Sequence, residues 1–309
     1  MRRFLFGPVN SRRLGRSLGI DLLPFKTCSL DCIYCECGWT TDKTLQRGEL
    51  VPTSAVLAEL DDHLSAGQEI DYVTFSGAGE PTLHTGIGVI IGHMKQHYPQ
   101  FKVAVLTNGT LLGDPMVQAQ LTRADLVVPS LDGAKESAFR DICRPAAGLA
   151  VQSVIDGIAS FRRGFPGLLL LEIFVVPGKN DSPAELAALK RAALRIRPDA
   201  IQLNSLDRPA PFPGVTPPGA DHLQSIRDTF HPLPVQAVRR REKGEPAPWS
   251  NAVVFAEILK ALERGSTTLG RLSVVSGIRE GDLAKTLAQM ASQALVHYDS
   301  DSSQVRLRH

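Results

Sequence analysis

Short apolar runs alternate with longer amphipathic stretches along the first two thirds of the chain, and this alternation is what most constrains the fold. Apolar runs of this kind are typical of strands in a parallel sheet that is covered on both faces. The stretches between them have helical spacing, as in the one that opens at Thr53 and carries Val56, Leu60 and Leu64. The pattern predicts an α/β protein made of repeated βα units. We predict six strands, at residues 19–23, 72–76, 103–107, 126–130, 169–175 and 200–203.

The composition changes after the sixth predicted strand. Residues 208–219 are rich in proline and glycine, which excludes a regular helix or a central strand there, and residues 239–248 read as a charged linker. Helical patterns and a hairpin pattern then follow, and together they resemble a winged helix. The helical patterns lie at 252–262, 269–276 and 280–291, and the hairpin strands at 295–298 and 304–307. We therefore expect a main domain at 1–235, a linker at 236–250 and a small winged-helix domain at 251–309.

Size and charge narrow the class of protein. A chain of 309 residues with 43% hydrophobic content can form one large domain and one small one. Its 34 basic and 32 acidic side chains give a net charge of +2, so overall charge does not indicate nucleic acid or a membrane surface as partner. No apolar stretch is long enough for a signal peptide or a bilayer span. We expect no membrane association and a cytoplasmic location, where cysteines stay reduced.

Three of the five cysteines lie in the run Thr-Cys-Ser-Leu-Asp-Cys-Ile-Tyr-Cys, as Cys28, Cys32 and Cys35. This Cys-x3-Cys-x2-Cys spacing brings three thiolates to one iron–sulfur cluster, whereas a 4Fe–4S cluster usually takes four cysteines. Structural zinc is the alternative, but zinc sites usually pair two ligand halves, and His63 and His84 show no paired spacing. We favour a cluster with one iron left open to a ligand that is not protein.

This spacing, with an aromatic residue directly before the third cysteine, resembles the radical S-adenosylmethionine (SAM) superfamily. The resemblance implies a partial (β/α)6 TIM-like barrel and a 4Fe–4S cluster on Cys28, Cys32 and Cys35. It also implies that the amine and carboxylate of SAM chelate the open iron. A reductant such as flavodoxin or ferredoxin would supply the electron that cleaves SAM. The 5'-deoxyadenosyl radical so formed would abstract hydrogen from a substrate.

Barrels of this kind place their chemistry on the loops that follow the strands, and small or polar residues occupy several of these positions. The run Ser-Gly-Ala-Gly-Glu after the second strand resembles the Gly-Gly-Glu segment of the superfamily. By that likeness Ala78, Gly79 and Glu80 would accept hydrogen bonds from the methionine ammonium of SAM. Asn108, Ser130 and Asp132 follow the third and fourth strands; they are either contacts to ribose or substrate, or ordinary turn residues.

Two later strands carry polar side chains within apolar runs. Glu172 lies in the fifth strand, where an unpaired charge would be costly. It therefore either pairs with a nearby Arg or Lys or faces the barrel lumen, which we favour. Gln202 and Asn204 lie on one side of the sixth strand and either line the same cavity or pack against helices. The full set of predicted cofactor-binding residues is Ala78, Gly79, Glu80, Asn108, Ser130, Asp132, Glu172 and Gln202.

A narrower likeness links residues 4–210 to small bacterial and archaeal radical proteins related to the wyosine-forming tRNA enzymes. It rests on residues 6–21, 140–145, 176–181 and 202–209. Those enzymes carry further cysteines for a second cluster, which Cys37 and Cys143 cannot supply here. We therefore expect a general relationship rather than a shared activity, and we expect Cys37 to be a spectator.

The substrate is RNA, a peptide or a small molecule. The narrower likeness is compatible with RNA, and Arg12, Arg13 and Arg16 either receive an anionic substrate or are solvated surface residues, so the sequence does not choose among the three classes. The alternative function is an iron–sulfur sensor or nucleic-acid-binding protein that acts through its winged helix. The acidic start of the predicted recognition helix at residue 280 disfavours phosphate contact.

Overall fold

The structure is a computed structural model that divides the chain into two compact units, Met1–Val238 and Arg239–His309. It describes residues 3–11, 14–67, 69–206, 210, 212–237, 258–259, 262, 265–276, 280–292 and 295–308. Arg12 and Arg13 lie outside the described residues, as do the predicted charged linker and most of the predicted helix at 252–262.

The first unit alternates strands and helices. Its strands are β1 (Leu5–Ser11), β2 (Gly15–Ile20), β3 (Thr27–Cys28), β4 (Asp42–Lys43), β5 (Tyr72–Phe75), β6 (Lys102–Thr107), β7 (Leu126–Pro129), β8 (Leu168–Phe174), β9 (Ala200–Asn204) and β10 (Val235–Ala237). Its helices are α1 (Thr53–Leu64), α2 (Ile87–His97), α3 (Pro115–Leu121), α4 (Glu136–Cys143), α5 (Val151–Gly164), α6 (Pro183–Ile196) and α7 (Ala220–Thr229). A single 3-10 turn, Pro81–Leu83, follows β5.

Eight of these strands form one sheet in the order β1-β2-β5-β6-β7-β8-β9-β10. The strands from β2 to β10 are parallel, and β1 pairs antiparallel with β2. The six predicted strands are confirmed as β2 and β5 to β9, with ends that shift by a few residues. The strands β1 and β10, at the two edges, were not predicted. Gly7 and Pro8 interrupt β1, whose register shifts between Phe6 and Val9, so it lacks an alternating strand pattern.

The two faces of the sheet differ in chemistry. One face is apolar, and its side chains pack in a single hydrophobic cluster with the helices, for example Val105 and Leu171 with Ile90 and Leu189. This packing explains the apolar runs in the sequence. The other face carries polar side chains towards the carboxyl ends of β7 to β10, where register partners share a side. They form one row of Ser130, Glu172, Gln202 and Gln236. The apolar runs predict a sheet that is covered on both faces. The structure agrees with this prediction only in part, because one face carries the polar row.

The second unit contains β11 (Thr267–Thr268), α8 (Leu269–Ser276), α9 (Glu280–Ser292), β12 (Val296–Asp299) and β13 (Gln304–Leu307). Its strands pair in the order β11-β13-β12 over a small core that includes Leu272, Leu283, Leu287 and Val305. The two helices and the hairpin are as predicted, whereas the assignment as a winged helix and the domain boundaries stay predictions. Within the described parts of both units, no helix has the length and apolarity needed to cross a membrane.

Candidate cofactor site

The three clustered cysteines lie in the loop that follows β2, and residues far along the chain hold this loop. We call residues 28–37 the cysteine loop. The backbone N–H of Asp31 donates to the carbonyl of Cys143 at 2.9 Å, and that of Ile33 donates to Ile142 at 2.9 Å. The end of α4 thus fixes the middle of the loop. The last residues of α4 belong to the segment at 140–145 that the narrower likeness includes. The structural role of this segment is therefore to hold the cysteine loop.

A buried carboxylate anchors the loop from one side. Asp31 accepts a hydrogen bond from the backbone N–H of Thr40 at 2.8 Å and forms an ion pair with Arg144. The Arg144 guanidinium also lies over two aromatic rings, 4.9 Å from the centroid of Trp39 and 4.3 Å from that of Phe212. A charge held in this way by both a carboxylate and ring faces fixes the loop in one position.

Tyr34 anchors the loop from the other side. Its ring stacks on Phe174 at the end of β8, with centroids 3.8 Å apart, and its hydroxyl donates to the carboxylate of Asp132. Asp132 is 3% exposed and also accepts the backbone N–H of Phe174 at 2.8 Å. Burial raises the pKa of Asp132 to about 7. Asp132, for which the sequence left open a ribose or substrate contact or a turn role, has both carboxylate oxygens hydrogen-bonded within the protein and ties the cysteine loop to β8.

Each of the three loop thiols is partly buried, and two of them, Cys28 and Cys35, have a nitrogen donor of their own. Lys26 Nζ lies 3.0 Å from the sulfur of Cys35, and Asn108 Nδ2 lies 3.5 Å from that of Cys28. Cys143, which is buried, lies beside Cys32, and its hydrogen bond with Cys32 raises the pKa of Cys143. Sulfurs supplied with donors in this way suit thiolate ligands, whose negative charge needs such partners.

The thiols of Cys28 and Cys35 have different pKa values because their surroundings differ. Burial raises the pKa of Cys28 to about 12. A hydrogen bond from Cys37 lowers the pKa of Cys35 to about 5, and Lys26 acts in the same direction. Among the described residues, no group of three or more His, Cys, Asp or Glu side chains converges on a single ion. A 4Fe–4S cluster needs no such convergence, because each cysteine binds a different iron, so three spaced thiols fit the cluster.

The glycine-rich loop after β5 packs directly against the cysteine loop. A Cβ atom on Gly79 would lie 1.8 Å from the carbonyl oxygen of Thr27, so only glycine permits this approach. The backbone N–H of Glu80 donates to the same oxygen at 3.2 Å. Gly77 has φ of +137°, and the thiol of Cys37 donates to its carbonyl at 3.7 Å. The predicted residues Ala78 and Gly79 therefore lie beside the cysteines.

Glu80 is tied into the protein beside the cysteine loop. Its carboxylate is 1% exposed and accepts four hydrogen bonds from the protein. These come from Thr82 N at 3.0 Å, Thr82 Oγ1 at 2.6 Å, Thr107 Oγ1 at 2.6 Å and Asn108 N at 2.6 Å. Glu80 thus cross-links the loops after β5 and β6, and its contact with the methionine ammonium stays a prediction. Burial raises its pKa, while these hydrogen bonds act in the opposite direction.

Asn108 joins this cross-link to the cysteines. Its side-chain nitrogen donates to Ser29 Oγ at 2.8 Å as well as approaching Cys28, and its oxygen accepts from Thr110. The structure thus brings Glu80, Asn108 and Cys28 together, although 80 positions separate Asn108 from Cys28.

Ser130, Glu172 and Gln202 lie together on neighbouring strands β7 to β9, at a distance from β2 in the strand order. Glu172 is partly buried and accepts a hydrogen bond from the side-chain amide of Asn204 at 3.0 Å. Gln202 donates to Gln236 at 3.2 Å. Within the described part of the chain, its buried Oε1 has no hydrogen-bond partner.

Sequence reasoning missed several residues that support the cysteine loop, namely Lys26, Asp31, Tyr34 as an anchor, and Arg144. Lys26 and Asp31 are close to cysteines in sequence, but proximity alone gives no signal for a buried contact. Arg16, predicted to receive an anion, is half exposed and pairs with Glu69 at 3.1 Å.

Comparison with known proteins places the chain in a family. The model of the Radical SAM superfamily matches residues 22–189, which is more than half of the chain. A protein of Brachyspira hyodysenteriae named GTPase Obg is 38% identical over 66% of this chain, which spans 30% of that protein. The UPF0026 protein slr1464 of Synechocystis is 38% identical over 67% of this chain and 77% of its own length.

A solved structure supports the fold. The radical SAM methyltransferase from Sphaerobacter thermophilus superposes with a TM-score of 0.56 at 18% identity, over 74% of this chain and 67% of that one. The narrower grouping with wyosine-forming enzymes stays a prediction. On the match over residues 22–189, the chain belongs to the radical SAM superfamily, whose enzymes use a 4Fe–4S cluster and SAM.

Proposed function

We propose that Cys28, Cys32 and Cys35 hold a 4Fe–4S cluster and that SAM binds at its open iron. The bound pair supplies a 5'-deoxyadenosyl radical, which abstracts hydrogen from a substrate. One observation carries this proposal: three partly exposed thiols in one loop, two of them with nitrogen donors, lie against the glycine-rich loop of the next parallel strand. A reductant such as flavodoxin or ferredoxin is the proposed electron source.

The glycine-rich loop provides the first contact to SAM. Because Gly79 lies against Thr27, one residue before Cys28, the backbone of Ala78 and Gly79 is beside the proposed cluster. Backbone carbonyls here are suitable acceptors for the methionine ammonium. We assign Glu80 a positioning role, since it holds Asn108 and thereby the donor to Cys28.

The polar row on β7 to β9 provides the second contact surface. Ser130 offers a hydroxyl, Glu172 a carboxylate and Gln202 a carboxamide, all on one face of the sheet. A carboxylate can accept two hydroxyl donors at once, as a ribose presents them. We propose that the adenosyl part of SAM and the polar substrate bind over this row.

The test uses protein reconstituted anaerobically with iron and sulfide, then reduced with dithionite in the presence of SAM. We expect 5'-deoxyadenosine to form with the wild type and to fall to background with Cys32→Ala, which removes one cluster ligand. Cys37→Ala is the matched control in the same loop and should retain cluster and product. Equal product from wild type and Cys32→Ala would refute the proposal. A stable cluster without product would favour the sensor alternative.

We propose RNA as the first substrate class to test, because several segments resemble the wyosine-related group. Comparing modified nucleosides in cellular tRNA from a deletion strain and its parent by mass spectrometry tests this. A nucleoside that is lost on deletion and restored by the wild-type gene, but not by the Cys32→Ala gene, supports it. Unchanged nucleosides with an altered metabolite would assign a small molecule instead.

A further inference from the structure

We propose that Lys26 sets the reduction potential of the cluster by donating a charged hydrogen bond to the sulfur of Cys35. The inference rests on the proposed assignment of Cys35 as a cluster ligand. Lys26 then acts on electron transfer indirectly, through the sulfur of Cys35, and is a positioning residue in this sense.

Lys26 is a buried lysine held at both ends. The residue is 2% exposed, and its Nζ donates to Cys35 Sγ at 3.0 Å and to the carbonyl of Gly38 at 2.6 Å. Its backbone N–H donates to Thr41 Oγ1 at 2.9 Å, and its carbonyl accepts the backbone N–H of Thr41 and of Asp42 at 3.1 Å each. Gly38 belongs to the same tight turn as Cys35, so the Nζ is locked against the sulfur.

The positive charge of Lys26 needs a negative partner, and the sulfur of Cys35 is the contact of Lys26 Nζ that can carry a negative charge. Buried lysines are rare unless they are paired, because an unpaired ammonium is costly away from water. In the part of the chain that the structure describes, no carboxylate lies within salt-bridge distance of Lys26 Nζ. Its contacts are a sulfur and a carbonyl. A thiolate at Cys35 supplies the missing negative charge.

The hydrogen bonds to the sulfurs of the three proposed cluster ligands differ in strength. Cys28 faces the neutral amide of Asn108 at 3.5 Å. Cys32 has no nitrogen donor among the hydrogen bonds described, and the Cys143 thiol beside it donates to Asp132 at 3.9 Å. Cys35 faces an ammonium at 3.0 Å in addition to the Cys37 thiol, and hydrogen bonds from charged groups are roughly twice as strong as neutral ones. The strongest donor to the three sulfurs is therefore at Cys35.

This placement has a definite effect on electron transfer. Reduction adds one negative charge to the cluster, and hydrogen bonds to its sulfurs and nearby charge set its potential. A cation at a buried site is poorly screened and stabilises the more negative, reduced state. Lys26 thus raises the midpoint potential and makes reduction by the electron donor easier.

The experiment compares full-length reconstituted Lys26→Met and Lys26→Arg with the wild type, in redox titrations without SAM followed by electron paramagnetic resonance. Methionine is unbranched and one atom shorter than lysine, and it removes donor and charge, whereas arginine keeps both. Lys43→Met is the matched control, because Lys43 is an exposed lysine nearby whose Nζ contacts only the Arg144 carbonyl among the hydrogen bonds described. Iron and sulfide content verify that each variant holds the cluster.

We expect Lys26→Met to lower the equilibrium constant for one-electron reduction by about tenfold, a shift of about 59 mV to more negative potential. Lys26→Arg and Lys43→Met should stay close to the wild type. An intact cluster in Lys26→Met with an unchanged potential overturns the proposal. If Lys26→Met lost the cluster, Lys26→Gln would decide, because it keeps a donor without the charge: a lower potential supports the proposal, and an unchanged one overturns it.

Failure of this inference is distinguishable from failure of the proposed function. The titration needs only the cluster, so it gives a result whether or not 5'-deoxyadenosine forms. Absence of product with a shifted potential would retain the role of Lys26 and remove the proposed reaction.

Discussion

Two carboxylates of the main sheet, Glu80 and Glu172, are in opposite situations. Glu80 follows β5, next to the cysteine loop, is buried, and accepts four hydrogen bonds from the protein. Glu172 lies on β8, is only partly buried, and accepts the amide of Asn204. The same residue type thus serves two purposes. Near the cysteines it holds two loops together, whereas on β8 it is a partly exposed member of the polar row.

Other polar side chains near Glu80 and near Glu172 differ in the same way. Near the cysteines, Asp132 is engaged by Tyr34 and Phe174, and Asp31 by Thr40 and Arg144. On the far strands, Gln202 retains a buried oxygen that has no partner among the described residues. Polar side chains whose hydrogen bonds are already made within the protein hold a reactive centre in place. Polar side chains with an unused donor or acceptor can select the ligand that binds to it. We call the residues engaged in this way the holding half of the site and the polar row of Ser130, Glu172 and Gln202 the recognising half; the two sets meet at β7 and β8, because Asp132 and Phe174 belong to the first.

The largest expected effect is at the contact between the two loops of the holding half. Gly79→Ala would force a Cβ atom to within 1.8 Å of the Thr27 carbonyl, so the loops must separate. We expect a loss of ~3 kcal/mol in the free energy of unfolding, together with reduced iron content after reconstitution. Urea unfolding and iron analysis measure the two effects. Gly219→Ala is the control, since a Cβ atom there meets nothing within 4 Å.

Glu80→Gln should have the next largest effect. Each oxygen of this carboxylate accepts a backbone N–H, from Thr82 and from Asn108, so in either orientation the amide NH2 of glutamine would face a donor and leave a buried group unsatisfied. We expect a loss of ~2 kcal/mol in the free energy of unfolding. Glu69→Gln is the control, because the Glu69 side chain is 90% exposed and its stability should not change. Equal stability of the two variants would break the division into two halves.

Glu172→Gln should have the smallest effect on stability and a distinct effect on binding. We expect the free energy of unfolding to change by less than ~0.5 kcal/mol. The affinity for SAM should fall about tenfold, equivalent to ~1.4 kcal/mol, because a carboxylate acceptor is lost. Calorimetric titration of SAM into the reconstituted variant, with Glu69→Gln as control, checks this. A large loss of stability with unchanged affinity would assign Glu172 to the holding half.

Much of this arrangement could be predicted from the sequence, because local pattern carries it. The spacing of Cys28, Cys32 and Cys35 indicates the cluster, and apolar runs indicate the six central strands. The helix α1 was indicated by the apolar periodicity that follows Thr53, and it spans Thr53–Leu64 with Val56, Leu60 and Leu64 buried. Such signals lie within a few residues of one another, so no tertiary information is needed.

The supporting contacts could not be predicted, because they depend on which strands are neighbours. Asn108 was expected near the site from its place after a strand, but its contact with Cys28 needs the sheet order to be known. The burial of Glu80 and Asp132 is likewise a tertiary property, and a sequence likeness to ligand-binding segments does not reveal it. Lys26 illustrates the same limit, since a lysine beside a cysteine in sequence is usually a surface residue.

The strand β1 has a consequence for the behaviour of the protein in a crowded solution. It pairs with β2 and so occupies the side of a parallel sheet that would otherwise offer unpaired backbone groups to another chain. Its own outer side is unsuited to templating, because Pro8 lacks an N–H and the register breaks between Phe6 and Val9. The hairpin thus protects the sheet against edge-to-edge aggregation.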